Sequence, residues 1–155
     1  MKNYFCHETS IIDKNVDIGE NTKIWHWVHI SEGAKIGKNC ILGQNVYIGP
    51  NVTIGDNVKI QNNVSVYEGV DIGNNVFLGP SCVFTNDKYP KSQGEWKLSK
   101  TKISDGVSIG ANATILCGII IEKNVLVGAG SVVTKNIKEN TIIAGNPAKI
   151  IKEYK

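Results

Sequence analysis

The sequence predicts an all-β protein wound as a parallel solenoid, and three observations predict it. An apolar residue occupies every sixth position, thirteen times in succession: Ile12, Ile18, Ile24, Ile30, Ile36, Leu42, Ile48, Ile54, Ile60, Val66, Ile72, Leu78 and Phe84. Two places before most of them sits a second, smaller residue, from Val16, Thr22, Val28 and Ala34 to Val76 and Cys82. Three places after them come Asn15, Asn21, Trp27, Gly33, Asn39, Asn45, Asn51, Asn57, Asn63, Gly69, Asn75 and Ser81, ten of the twelve being Asn or Gly.

Each six-residue unit therefore sends one large and one small side chain inward, which is period 2 over a very short strand. The third signal is the corner. Gly lacks a Cβ and Asn bonds locally, so these two types best tolerate positive φ, and one left-handed residue per unit turns the chain. A helix is excluded, because period six is not 3.6 and Asn and Gly disfavour helices. Short strands joined by regular corners stack coil on coil at about 4.8 Å. The period alone sets neither the strands per coil nor the hand, and general crossover rules favour a right hand.

The repeat breaks after Phe84-Thr85-Asn86 and resumes with Ile103, Ile109, Ile115, Ile121, Val127 and Val133. Its corners there are Gly106, Asn112, Gly118, Asn124, Gly130 and Asn136. The interruption, residues 86–102, carries Tyr89, Pro90, Trp96 and five lysines, and reads as a loop thrown out of the wall. Long structureless loops in compact domains are usually functional, and a smooth prism has no pocket of its own. The expected organisation is one domain: a first solenoid section at 12–85, the loop at 86–102, a second section at 103–136 and a cap at 137–155. Pro147 stops the solenoid, and "AKIIKEYK" is expected to form a short helix or other cap over its open end.

Composition limits the function. A chain of 155 residues suits one domain with a real core. "MKNYFCHETS" is polar, unlike a secretory leader, and no apolar run approaches the ~18 residues of a membrane span. The four cysteines form no CxxC or Cys/His cluster. Three are expected where the repeat wants a small apolar residue, as reduced core thiols of a cytoplasmic protein. The net charge of +3 is mild, and all 17 basic residues are Lys. A reader of polyanions would use Arg, so no nucleic-acid partner is expected. His7, His26 and His29 fall in the first coils only, which gives no zinc cluster.

"DIGNNVFLGP", "YIGPNVTIGDNV" and "GAGSVVTKN" resemble the hexapeptide-repeat acyltransferases, over roughly residues 11–149. The resemblance implies a left-handed β-helix of triangular section, three hexads per coil, packed as a homotrimer with active sites at subunit interfaces. "GNPAK", Gly145 to Lys149, resembles the segment that ends many acyl-CoA-dependent members, where the basic residue lies near the cofactor phosphates. "KIWHWVHI", "LGQNV", "KIQNNVSVYEGV", "GPSCVFTND" and "IGANATILCG" together look like a tighter group. That group is the N-acetyltransferases of nucleotide-linked 3-amino sugars, which feed surface polysaccharides. "FTNDKYP" looks nearer to members using dTDP-3-amino-3,6-dideoxyhexoses than to those using UDP-linked sugars.

With three hexads per coil, Glu68 and Asn86 stack on one corner at the root of the loop. The resemblance makes them the catalytic pair that holds the sugar near its amine, and puts Asp87 and Tyr89 on the substrate side. His26, Gln44 and Asn62 share a second corner column and are candidate substrate contacts. For acetyl-CoA the candidates are Asn112, Gly118, Ala129, Lys135 and Lys149: small residues admit an extended pantetheine, and lysines neutralise phosphate. No metal is implied. A neutral amine attacks a thioester unaided, and the departing thiolate takes the surplus proton. Two alternatives are an O-acetyltransferase, which needs a histidine base because a hydroxyl must lose its proton, and a non-catalytic or metal-binding scaffold. Trp27 breaks the Asn/Gly corner rule; subunit contact is the first explanation, an aromatic platform for the nucleotide base the second.

Overall fold

The computed structural model describes residues 3–153. They form a left-handed parallel β-helix of about 8 turns with three sheets and no helix. Nearly every strand is two residues long. The first sheet has nine strands, beginning with Phe5–Cys6 and Lys23–Ile24; the second has seven, from Ile11–Ile12 to Val132–Val133; the third has six, from Asp17–Ile18 to Ile120–Ile121. Away from the insertion and the last turn, each residue of the wall pairs with the one three hexads further on, as in Lys23↔Ile41, His29↔Tyr47 and Asp17↔Lys35. The predicted aliphatics from Ile24 onward are buried, forming one continuous core filled by Phe84, Ile103 and their neighbours.

Every predicted corner except one adopts positive φ, including the non-glycine Trp27 at 53° and Ser81 at 58°. The exception is Asn136. Ile121 pairs with Ile137, where an unbroken repeat would bring Glu139 beside it. This last turn is short, so the chain crosses it without a left-handed residue. Asn136 instead accepts a hydrogen bond from Ile120 N–H at 2.9 Å, and the next left-handed residue is Asn140 at 57°, at the following corner over Asn124.

The cap is a strand, which corrects the helix expected of "AKIIKEYK". Lys149–Glu153 runs antiparallel to Thr141–Ala144 at the open edge of the first sheet. The physical reason is the edge itself: Thr141–Ala144 leaves backbone groups unpaired on its far side, and β-branched Ile150-Ile151 suit a strand better than a helix. Pro147 does not end the pairing; it sits in the turn between the two strands, where Ala148 N–H bonds Val132 C=O at 2.8 Å.

The interruption is an insertion into a single coil. Val70 pairs with Thr101, where an unbroken repeat would bring Lys88 beside it. The strand therefore resumes just before Ile103 and already contains Lys102. Cys40 and Cys82 are core thiols, and burial pushes Cys82 up to about 12. Cys117 is buried too, but it lies on a corner and not at a small-residue position of the wall.

Candidate active site

Two corners flank the second sheet, and the candidate residues divide between them. The corner joining the second sheet to the third carries Glu68, Asn86, Cys117 and Lys135 in one column, set by the register Ser65↔Val83, Val83↔Thr114 and Thr114↔Val132. Asn86 Nδ2 donates to the Glu68 carbonyl oxygen at 3.4 Å. Both residues are half-buried. The stacking expected from the three-hexad coil is thus present, and their side chains sit at the root of the loop.

The loop is a closed arch. Ser99 N–H bonds the Asn86 carbonyl at 2.9 Å, Asp87 and Leu98 form an antiparallel bridge, and Thr101 N–H bonds the Gly69 carbonyl at 2.9 Å. Asp87 Oδ1 accepts from Tyr89 N–H at 2.9 Å, which starts the turn. Leu98 packs where a Gly69 side chain would be: a Cβ there would lie 2.8 Å from Leu98 Cδ1. On the far side of the arch opens a cleft of about 490 Å³. Asp87, Lys88 and Pro90 line it from the loop, and Leu116 to Ile119 with Thr134, Lys135 and Asn136 line it from the wall. It combines an apolar floor with two lysines and one carboxylate, a fit for a long ligand with an anionic end.

Asp87, Gly118 and Lys135 line the cleft, Asn86 stands between its lining residues Thr85 and Asp87, and Glu68 opens instead on an adjoining groove with Gly69, Leu98 and Lys100. Tyr89 belongs to the loop but faces solvent, with Lys88 Nζ 5.8 Å from its ring centre. Cys117 and Thr134 are cleft residues that sequence reasoning missed. Their signal was present: Cys117 follows Asn86 in the column just as Thr101 follows Val70 in the wall, but the insertion length must be known to count it.

His26, Gln44 and Asn62 lie on the other corner, between the first and second sheets. Asn112 and Ala129 share that corner, since Asn45 N–H bonds His26 C=O, Asn63 N–H bonds Gln44 C=O, Asn112 N–H bonds Pro80 C=O and Gly130 N–H bonds Ala111 C=O. The full width of the second sheet separates them from Asn86 within one chain. Lys149, in the terminal strand, lies beside neither Asn86 nor the cleft lining. His26 stacks on His7 with ring centres 3.6 Å apart, and Trp25 lies nearly parallel to His26. Trp27 N–H donates to Thr9 Oγ1 at 3.0 Å, holding a 58%-exposed indole on a left-handed corner. His29, on the second sheet, contacts the Asp13 carboxylate at 3.2 Å. Among the described residues no three His, Cys, Asp or Glu side chains gather as metal ligands. No helix there is long and apolar enough to cross a membrane.

Among the described residues one long loop shelters a cleft against the wall of a three-sided hexapeptide solenoid, which places a candidate ligand site on the later coils. The chain matches the bacterial transferase hexapeptide family (six repeats) over residues 15–50, 51–86 and 100–135, and the hexapeptide repeat of succinyl-transferase over 33–68. It belongs to the hexapeptide-repeat transferase family, and it is an acetyltransferase of that family. It is similar to the dTDP-3-amino-3,6-dideoxy-alpha-D-galactopyranose 3-N-acetyltransferase of Aneurinibacillus thermoaerophilus, 48% identical over 147 residues, covering 94% of this chain and 76% of the relative. Among solved structures it is similar to a hexapeptide-repeat acetyltransferase of Vibrio cholerae in complex with acetyl-CoA, at TM-score 0.64 and 28% identity over 79% of this chain and 72% of that one. A variant of an N-acyltransferase from Bacillus cereus, bound to dTDP and coenzyme A, matches at TM-score 0.65 and 25% identity, over 99% of this chain and 83% of the other.

Proposed function

We propose that the protein transfers an acetyl group from acetyl-CoA to the 3-amino group of a nucleotide-linked 3-amino-3,6-dideoxyhexose, dTDP-linked in preference to UDP-linked, for surface polysaccharide synthesis. The observation that carries this reading is the Asn86–Glu68 stack at the root of the loop, with Asn86 standing between the cleft-lining residues Thr85 and Asp87. It sets the Asn86 carboxamide next to a channel suited to pantetheine and the Glu68 carboxylate on the adjoining groove with Leu98 and Lys100, and Lys135 in the channel supplies a cation for the donor's phosphates. The relatives' substrates support the choice of an amine on a nucleotide sugar.

The chemistry asks little of the protein. The neutral amine attacks the thioester carbonyl, the C–N bond forms, the C–S bond breaks, and the thiolate takes the amine's proton. Asn86 positions the acceptor, and Glu68 bonds the sugar or the amine. Proximity then supplies most of the acceleration.

A homotrimer completes the site. The outward residues of the second sheet are Ile11, His29, Tyr47, Ser65, Val83, Thr114 and Val132, with no Lys, Asp or Glu among them. The third sheet shows Asp17, Lys35, Asp71 and Lys102 instead. The uncharged face suits a neighbouring copy. Packing there sets the His26–Gln44–Asn62 corner of one subunit against the Asn86 corner of the next. Incubating a panel of dTDP- and UDP-linked 3-amino sugars with acetyl-CoA, and following thiol release and product mass, tests the reading. Release with none of them removes it.

A further inference from the structure

Thr85 stands beside Asn86 and lines the loop cleft, half-buried. Its Oγ1 accepts a hydrogen bond from Cys117 N–H, one coil further on, at 2.9 Å. That bond occupies an oxygen lone pair and leaves the hydroxyl proton to give. Other hydroxyls of the solenoid take a backbone N–H in the same way but have a partner for their proton. Thr22 accepts from Cys40 N–H at 3.0 Å and donates to the Gly37 carbonyl at 2.9 Å. Ser10 accepts from Val28 N–H at 3.0 Å and donates to the Trp25 carbonyl. Thr9 accepts from Trp27 N–H, with His7 Nδ1 3.0 Å away. The Thr85 proton meets no acceptor among the described residues. Thr101 and Ser131 share that property, but they are closed off in the interior, at 1% and 0% exposure, and do not line the cleft. Thr85 is anchored at its oxygen, unspent at its hydrogen and open to the cleft.

Acyl transfer from a thioester calls for such a donor. As the acceptor atom bonds the thioester carbon, the C=O π pair moves onto oxygen and an oxyanion develops. A preorganised donor aimed at that oxygen stabilises the transition state. Beside Asn86 the backbone N–H groups of the wall are already spent. Leu116 N–H goes to the Val133 carbonyl at 3.0 Å, Cys117 N–H to Thr85, and Gly118 N–H to Thr101 at 3.1 Å. The register Val83↔Thr114 and Phe84↔Ile115 puts Leu116 and Cys117 one strand spacing, about 4.8 Å, beyond Thr85 and Asn86. A thioester carbonyl held beside Asn86 for attack therefore has the Thr85 hydroxyl as its neighbour. Cys117 N–H strengthens that hydroxyl as a donor, because hydrogen bonds in a chain polarise one another.

We propose that Thr85 is a catalytic residue, whose hydroxyl donates a hydrogen bond to the oxyanion formed from the acetyl thioester. The proposal rests on the function proposed above only in taking the loop cleft as the acetyl-CoA site, since an amine and a hydroxyl acceptor form the same oxyanion. With an amine, the C–N bond forms first. The oxygen's pair then remakes C=O, the C–S bond breaks, and the thiolate takes the amine's proton. Thr85 keeps its own proton throughout.

The test is steady-state kinetics of Thr85→Val, Thr85→Ser and Thr22→Val with acetyl-CoA and the acceptor that the wild-type chain uses, beside calorimetric CoA binding and melting curves. Removing an oxyanion donor costs ~10²–10³-fold in kcat. Thr85→Val keeps the shape and should show that loss. Because the oxyanion exists only along the reaction path, kcat and kcat/KM should fall alike, with KM for acetyl-CoA and CoA affinity unchanged. Thr85→Ser retains the hydroxyl and should recover most of kcat. Thr22→Val loses the same kind of bond in an early coil, so it should lower the melting point and leave kcat unchanged. Should Thr85→Val fail to fold, Thr85→Ala carries the same expectation. Three results overturn the assignment: a valine or alanine variant with wild-type kcat, a loss confined to KM or CoA affinity, or a loss that serine does not restore. If the wild-type chain acetylates sugar hydroxyls and not amino sugars, and the variants follow the expected pattern, Thr85 stands and the acceptor reading falls. If it acetylates amino sugars and Thr85→Val matches it, Thr85 falls alone. If it transfers acetyl to neither, both fall.

Discussion

Replacing Gly69 with Ala tests whether the loop's anchor is what positions Asn86. Gly69 has φ of 87°, where an L side chain is strained, at a cost of roughly 1–2 kcal/mol. The new Cβ would also lie 2.8 Å from Leu98 Cδ1 and 3.1 Å from its Cγ. Leu98 is half-buried and can swing outward, so the clash is relieved by moving the loop rather than the wall. The expected loss of stability is about 1–2 kcal/mol, a melting point lower by about 2–8 °C for a chain of this size. The functional effect should be larger than that. Leu98 pairs with Asp87, and the next residue's N–H holds the Asn86 carbonyl, so displacing Leu98 displaces Asn86. A shift of ~1 Å can cost ~10²-fold in rate. The assay is kcat/KM for acetyl transfer beside a melting curve and limited proteolysis of the loop. Gly94→Ala is the control: it too has positive φ, 112°, but no atom lies within 4 Å of its Cβ, so it should lower the melting point without altering kcat/KM. A Gly69→Ala variant with wild-type kcat/KM and an intact loop would refute the argument.

Four further outcomes are expected. Asn86→Ala should lower kcat more than His26→Asn or His29→Asn, and neither histidine variant should show the ~10²–10⁴-fold loss of a general base; Glu68→Gln should keep activity if the carboxylate only positions the sugar. A collapse confined to one histidine variant across a pH series would favour O-acetylation. Lys135→Ala, in the loop cleft, should raise the apparent constant for acetyl-CoA more than Lys149→Ala, with little change for the sugar, measured by initial rates. Burial raises Cys82 from 9.0 to about 12, so the unfolded chain loses this proton first. Stability should therefore fall as pH rises past 9.0 toward 12, and Cys82→Ala should flatten that part of the denaturation-midpoint curve. Sedimentation equilibrium at micromolar concentration should give a trimer, and Val83→Lys, which puts a charge on the second sheet, should shift it toward monomer.

The repeat by itself determined the wall. Thirteen aliphatics at a strict period, with Asn or Gly three places later, leave the chain one way to bury its apolar side chains, and local φ preference places each corner. That is why even Ser81 and Trp27 turn where Asn does: their neighbours fix the position whatever stands in it. The resemblance supplied the hand and the three strands per coil, which a one-dimensional period does not contain. Three hexads per coil then make the Glu68–Asn86 stack legible in the sequence. What tertiary structure alone decided follows from places where the period fails. The length of the insertion depends on which backbone groups pair across it, so Cys117 and Thr134 reached the cleft only once Val70 met Thr101. The shortened last turn released Asn136 from its corner, because Ile137 had to meet Ile121. The terminal segment became a strand because an open sheet edge stood beside it. And the candidate residues fell on two corners a sheet apart, a separation that side-chain type and sequence spacing do not encode, since it is set by the direction in which each corner faces.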